Sequence, residues 1–243
     1  MITKQLSKRS PLFELLGAGL FITTFIFSCS SPKEQANKSK HAMVVSAHPL
    51  ASEIGLQIIK NGGNAVDAAV AVQFALAVVY PSAGNIGGGG FFVYRSNGGE
   101  CSTLDFREKA PLNAQRDMYL DTLGNVVDNL SLIGHLAVGV PGTVDGMVTI
   151  HEKYGRLSWE KVIQPSIDLA NNGFVLTEKQ AHNLNYFNKS KLNFNDYNPY
   201  FKDTYNKGDT LLLRDLGNTL IQIREHKREG FYKGVVADQI VEE

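Results

Sequence analysis

Four consecutive glycines, Gly87 to Gly90, run straight into the apolar stretch Phe91-Phe92-Val93-Tyr94. Without side chains at these positions, another backbone or a ligand can come unusually close. The residues after the glycines limit the choices. A phosphate-cradling loop needs a helix after the glycines and usually Gly-Lys-Ser/Thr. Phe91 to Tyr94 instead predicts a short strand. Ser96-Asn97-Gly98-Gly99 supplies the residues that tolerate a tight turn, and Cys101 to Phe106 returns as the partner strand. The hairpin ends at Asp105-Phe106-Arg107-Glu108, an arginine between two carboxylates. A guanidinium at a strand end can bind an anion through its planar fork. The same residues can also form a structural salt bridge, Arg107 to Asp105 or Glu108, and surface pairs of that kind contribute little.

The rest of the chain reads as alternating short strands and helices. Ala42 to Ala47 predicts a strand broken by His48-Pro49. Leu50 to Asn61 has helical spacing, with Leu50, Ile54 and Ile58 on one face and Gly62-Gly63 at its end. Asn64 is placed to cap the next helix, with Asp67 in its first turn, where the helix dipole favours negative charge. Ala65 to Val79 is apolar nearly all round and is expected to be buried on most sides until Pro81 ends it. Leu132 to Val140 suggests a strand and Thr143 to Tyr154 a helix stopped by Gly155. A further helix runs from Ser158 through Ala170, with Pro165 expected to kink or divide it. Residues 183–208 read as a long surface loop with helical pieces, and Asp209 to Leu213 as a short apolar turn-in. Leu216 to Glu225 reads as an amphipathic helix, Gly230 to Gly234 as a turn, and Val235 to Glu243 as the start of another helix.

The N-terminus has a different character. Lys4, Lys8 and Arg9 precede a mostly apolar run from Leu12 to Phe27, then Ser28-Cys29, then a polar stretch. This is the layout of an export signal. Residues 1–29 are read as a lipoprotein-type signal with Cys29 as the lipidated residue, and 30–41 as a flexible tether. An uncleaved anchor and an ordinary cleaved signal are the alternatives. Residues 42–243 then form the folded portion.

Composition excludes several classes. The 243 residues are 43% hydrophobic and 20% charged, which suits a globular chain, and zero formal net charge gives no footprint of nucleic-acid binding. The six histidines, His41, His48, His135, His151, His182 and His226, are scattered without metal-ligand spacing, so neither metal nor cofactor is expected. Cys101 reads as a small packing residue. No Gly-x-Ser-x-Gly nucleophile elbow is present.

Several stretches together resemble the large subunit of γ-glutamyltranspeptidases (γ-glutamyltransferases, glutathione hydrolases). These are Gly84-Asn-Ile-Gly-Gly-Gly-Gly-Phe, Asp105-Phe-Arg-Glu-Lys-Ala-Pro, Asn61-Gly-Gly-Asn-Ala-Val-Asp-Ala-Ala, Val140-Pro-Gly-Thr-Val-Asp-Gly, Lys153-Tyr-Gly, Gln164-Pro-Ser and Gly230-Phe-Tyr-Lys-Gly. The resemblance implies an α/β (α+β) fold, the N-terminal nucleophile hydrolase-type αββα four-layer sandwich, only partly covered by this chain, with strand edges left open. It implies that Arg107 binds the α-carboxylate of a γ-glutamyl substrate such as glutathione. Glu108 then orients Arg107, meets the substrate amine, or simply faces solvent. It also implies a threonine nucleophile, freed by self-cleavage at the start of a small subunit. Thr23-Thr24 lie inside the export signal and cannot serve. This chain alone is therefore expected not to catalyse, with its small subunit as partner, a lipid anchor on the membrane, and a periplasmic location. A non-catalytic lipoprotein that keeps a γ-glutamyl-binding module is the alternative.

Overall fold

The computed structural model describes residues 38–191 and 204–242. Cys29, Thr23-Thr24, the export signal and most of the tether lie outside the described residues, as does part of the loop expected over 183–208. Contacts divide the chain into Met1–His41 and Ala42–Glu243, and the elements below belong to the second unit. No described helix is long and apolar enough to cross a membrane.

The order is α1 (Pro49–Lys60), α2 (Ala65–Val79), β1 (Phe91–Arg95), β2 (Cys101–Asp105), α3 (Thr143–Tyr154), α4 (Trp159–Asn172), β3 (Phe174–Val175), α5 (Glu178–Lys191), β4 (Thr210–Leu211), α6 (Arg214–His226), α7 (Glu229–Tyr232) and α8 (Gly234–Glu242). Helix α2 is the hub. Val66, Val70, Ala71, Phe74, Ala75, Val78 and Val79 are all buried, as expected for a helix apolar on every side. It packs against α1, α3 and α4, and α4 packs in turn on α6. Phe74 meets Trp159 edge to face at 5.8 Å, and the Trp159 indole N–H donates to Ile223 O at 3.0 Å. Burying these side chains is the main stabilising term, about 1.5–3 kcal/mol for each large one.

One buried carboxylate ties α2 to the rest. Asp67 is fully buried. It accepts from Asn64 N at 2.9 Å, closing a capping box in which Asn64 Oδ1 accepts from Val66 N and Asp67 N. Its oxygens also accept from Arg156 N at 3.0 and 3.2 Å and from Leu157 N at 3.3 Å. Asn64 Nδ2 donates to Tyr154 O at 2.6 Å. A buried charge is tolerable only when hydrogen-bonded in this way. Asp67 therefore fastens the α3–α4 junction to the start of α2, a role well beyond complementing a helix dipole.

At the other end of the core, His48 caps α1. Its Nδ1 accepts from Leu50 N at 3.2 Å, and its Nε2 lies 3.0 Å from Gln180 Nε2. Gln180 is itself held in a capping arrangement with Thr177, Oε1 accepting from Thr177 N at 3.0 Å and Thr177 Oγ1 at 2.8 Å, while its Nε2 donates to Val79 O at 3.0 Å. Burial pushes the imidazole below its ordinary range.

The β1–β2 hairpin is antiparallel, pairing Phe91 with Asp105, Val93 with Thr103 and Arg95 with Cys101. Its inner residues Phe92 and Tyr94 pack at a tilt against Tyr154, 6.2 and 4.8 Å between ring centres. Its outer residues Phe91 and Val93 are exposed. Glycines seat the hairpin on α3. A Cβ at Gly89 would fall 2.6 Å from Phe106 O, one at Gly146 2.6 Å from Phe106 Cβ, and one at Gly142 2.8 Å from Arg107 O. Gly142 N and Thr143 N both donate to Gly88 O, at 2.8 and 3.0 Å. The close approach expected of the glycine run is therefore made by protein backbone and by the Phe106 ring.

Several expectations are corrected. Ala42 to Ser46 forms no regular element and is alternately half-buried and exposed, and no strand pairs with it among the described residues. Leu132 to Val140 is broken by Gly134 at φ +92° and by a single turn of 3-10 helix (His135–Ala137), so only Val140 bridges, to Lys109. Helix α4 runs through Pro165 unbroken, because its buried face, Trp159, Val162, Ile163, Ile167 and Ala170, holds both halves against the core. Gly230 to Gly234 is not a plain turn: Glu229–Tyr232 is one turn of helix. Residues 178–191 are a continuous helix, and the turn-in near Leu211 is a strand paired with Phe174–Val175.

These contacts set three expected outcomes. Asp67→Ala is expected to lower unfolding free energy by about 3 kcal/mol, because it orphans buried N–H donors; urea denaturation giving a loss under about 0.5 kcal/mol contradicts the clamp. Gly146→Ala is expected to cost about 1–3 kcal/mol through overpacking against Phe106, and an unchanged melting temperature refutes the close seat. His48 binds fewer protons folded than unfolded. Its contribution is therefore fully present above its unfolded pKa of about 6.5 and is lost as pH falls toward the lowered folded value. His48→Gln is expected to flatten the pH dependence of melting as pH falls below about 6.5, and a profile identical to the parent rules this out.

Candidate functional site

Arg107 emerges two residues beyond the end of β2. Asp105 fixes how it does so: its Oδ1 accepts from Arg107 N at 2.9 Å, a local side-chain turn. On the far side Lys109 and Val140 exchange two backbone bonds, at 3.1 and 2.7 Å. The backbone of Arg107-Glu108 is thus pinned from both ends, while both side chains are exposed.

This geometry separates the two sequence readings of Arg107. The ion-pair reading requires a carboxylate on the guanidinium. Among the described residues, no acidic side chain lies within ion-pairing distance of Arg107, and the ion pairs between described Lys or Arg and Asp or Glu side chains are elsewhere. Of the two flanking carboxylates, Asp105 has turned back to the chain's own N–H. The guanidinium carbon instead lies 5.9 Å from the centre of the Phe91 ring, at the outer limit of a cation–π contact. A planar cation resting on an aromatic face, with its N–H edges open, is arranged to take a carboxylate in two parallel bonds.

Glu108 is exposed, and its Cβ lies where a side chain at Gly139 would stand, 2.9 Å from that position. It does not pair with Arg107. A hollow of about 140 Å³ opens next to Phe91, lined also by Gln73, Phe92, Phe106, Met147 and Ile150. A larger cavity of about 340 Å³ lies apart from the hairpin, between His48, Phe174, Leu176, Gln180, Leu184 and Leu211. Cys101 is free and exposed, its thiol 3.8 Å from Gly99 O. Among the described residues no three His, Cys, Asp or Glu side chains gather as a metal site.

Two participants were missed by sequence reasoning. Asp105 acts on the backbone, a role signalled by the Asp-x-Arg spacing of a side-chain turn. Phe91 supplies the platform, signalled by its outward place in the alternation of β1.

The same residues fall within the likeness to known proteins. The family model described as Gamma-glutamyltranspeptidase matches residues 51–243. The chain is 45% identical over 220 residues to the glutathione hydrolase proenzyme of Pseudomonas sp. (strain A14), covering 89% of this chain and 38% of that protein. It is 44% identical over 210 residues to the proenzyme of Escherichia coli (strain K12), covering 85% and 36%. The chain thus spans well under half the length of these relatives. Among solved structures, the Helicobacter pylori gamma-glutamyltranspeptidase superposes with a TM-score of 0.80 at 48% identity, over 84% of this chain and 60% of that one. The enzyme from Pseudomonas nitroreducens, complexed with L-DON, gives 0.74 at 38%, over 84% and 61%. These likenesses bear out the mixed α/β fold expected from the motifs, of which this chain covers part. With its glycine run, its Asp-Phe-Arg-Glu corner and a family match from Ala51 onward, the chain belongs to the gamma-glutamyltranspeptidase family.

Proposed function

We propose that this chain is the N-terminal portion of the large subunit of an exported γ-glutamyltransferase or glutathione hydrolase, and that Arg107 binds the α-carboxylate of the γ-glutamyl group. The observation that carries the reading is the open guanidinium fork over Phe91, with Asp105 committed to the backbone. An arginine kept only for a salt bridge has its carboxylate; this one presents its N–H edges to solvent. Lysine cannot replace it, because a point charge makes no bidentate pair.

The chemistry splits into two steps. A threonine supplied by the small subunit attacks the γ-carbonyl of glutathione or a related compound, with its own amine as base. The amine or peptide leaves, and the γ-glutamyl group is held as an ester. Water or an amino acid then takes the acyl group and frees the threonine. Arg107 takes no part in bond making. It holds the end of the donor remote from the reacting carbonyl, which sets the geometry of attack. In this reading Glu108, exposed one residue on, meets the donor's amine. Residues 1–29 carry the chain out of the cytoplasm, with Cys29 as lipid attachment point at the periplasmic face.

The test uses the processed two-subunit enzyme that contains this chain, with a chromogenic γ-glutamyl donor. Arg107→Lys is expected to lower kcat/KM by the equivalent of about 2–5 kcal/mol, chiefly through KM. The chain 1–243 alone serves as the blank and is expected to release no chromophore. An Arg107→Lys enzyme with parental KM, or release by the blank, overturns the reading.

A further inference from the structure

The stretch Gly230-Phe-Tyr-Lys-Gly stands out in the sequence but has no part in the two-step chemistry. Its structural role converges on the Arg107 corner from behind. Helix α7 brings Tyr232 to the start of α3, where its hydroxyl donates to Pro141 O at 2.8 Å and accepts from Asp145 N at 3.2 Å. The ring is half-buried and meets Phe231 edge to face at 5.0 Å. Phe231 is buried, and Gly230 is packed so tightly on Gln222 that no side chain fits there. The position of the hydroxyl is therefore set by the α6–α7 junction.

Pro141 is the middle residue of the segment that lies against the arginine. Before it, Val140 exchanges both backbone bonds with Lys109. After it, Gly142 abuts the carbonyls of Phe106 and Arg107 and donates to Gly88 O at 2.8 Å. Pro141 itself has no N–H, so its carbonyl is its one main-chain handle, and Tyr232 holds that handle. The same hydroxyl satisfies one of the free N–H groups in the first turn of α3. One oxygen thus fixes the helix start and the segment that backs the Arg107 main chain.

We propose that Tyr232 is a positioning residue for Arg107, acting through Pro141 and Gly142 to hold the arginine's backbone in the register that aims its guanidinium at the donor carboxylate. This rests on the reading of Arg107 as the carboxylate-binding residue. Arg228, on the same connection, reaches α3 at a different place, binding Asp145, Glu152 Oε2 at 3.0 Å and Thr149 Oγ1 at 2.7 Å. It makes no hydrogen bond to Pro141 or Gly142, so it secures the helix without setting the corner.

The experiment compares Tyr232→Phe, Arg228→Gln, Arg107→Lys and the Tyr232→Phe/Arg107→Lys double variant in the processed enzyme containing this chain. KM and kcat are measured for a γ-glutamyl donor and for the same donor with its α-carboxyl amidated, and thermal melting is followed for each. Tyr232→Phe keeps the ring. It is expected to raise KM for the free-carboxyl donor about 3- to 10-fold, the worth of one ordinary hydrogen bond. It is expected to leave kcat within about twofold and the amidated donor unaffected, and to add little once Arg107 is lysine. Arg228→Gln is expected to lower melting without moving either KM. If Tyr232→Phe lowers melting but leaves the donor preference unchanged, or if Arg228→Gln shifts KM equally, the positioning role is overturned while the Arg107 reading stands. If Arg107→Lys itself leaves the free-carboxyl KM unchanged, both fall. Should Tyr232→Phe fail to fold, Tyr232→His, which keeps a ring but is too short to bring a donor to Pro141 O, takes its place under the same criteria.

Discussion

The Arg107 corner depends on how closely three pieces of backbone approach Phe106. Gly89 from the glycine run, and Gly142 and Gly146 from the start of α3, all come nearer to this residue than any side chain permits. Phe106 fills the space they leave, and its main chain bonds back to Gly90, at 3.0 and 3.4 Å. A methyl group at any of these glycines pushes the strand end away from the helix. The next residue in the chain is Arg107, so the packing that seats Phe106 also sets where the guanidinium begins. Side-chain choice at Arg107 matters only because the main chain beneath it is fixed.

That fixed main chain is secured by polar contacts of unequal strength. Asp67 is the most deeply buried. Its carboxylate gathers N–H groups from the α2 start and from the α3–α4 junction, and so holds α3 against the hub. Charge-assisted bonds inside a low-dielectric core are worth roughly twice neutral ones. The Arg228 cluster is more exposed, so solvent and salt screen it. The burial of α2 dominates the energetics, the Asp67 clamp orients α3, and the exposed ion pairs contribute least. The outer face of the hairpin differs: Phe91 and Val93 stand in solvent, so apolar burial secures that sheet on one side only.

Much of this arrangement was legible in the sequence where a local rule governs. The Asn64 cap, the stop at Gly155 and the hairpin turn are each marked within a few residues of sequence, and the structure keeps all three. The failures occur where distant partners decide. Ala42 to Ser46 has the alternation of a strand but lacks a neighbour to pair with among the described residues. Pro165 has the chemistry of a helix breaker but sits in a helix whose apolar face is held by α2 and α6. Thr210–Leu211 becomes a strand only because Phe174–Val175, more than thirty residues earlier, lies alongside it. At the site, the sequence pointed to Arg107 and Glu108. It could not show that Asp105 turns its carboxylate to the backbone, because Asp-Phe-Arg-Glu is equally consistent with an ion pair. Rotamer and turn geometry, not composition, separate the two.

The central claim is that the Arg107 fork is held open for a carboxylate. The most direct measurement is a crystal structure of the processed enzyme containing this chain, soaked with L-glutamate. The account predicts two parallel bonds of about 2.7–2.9 Å from the Arg107 guanidinium to the α-carboxylate, with Asp105 still on the Arg107 N–H. Glutamate bound with its α-carboxylate elsewhere, and Arg107 turned onto Asp105 or Glu108, contradicts it.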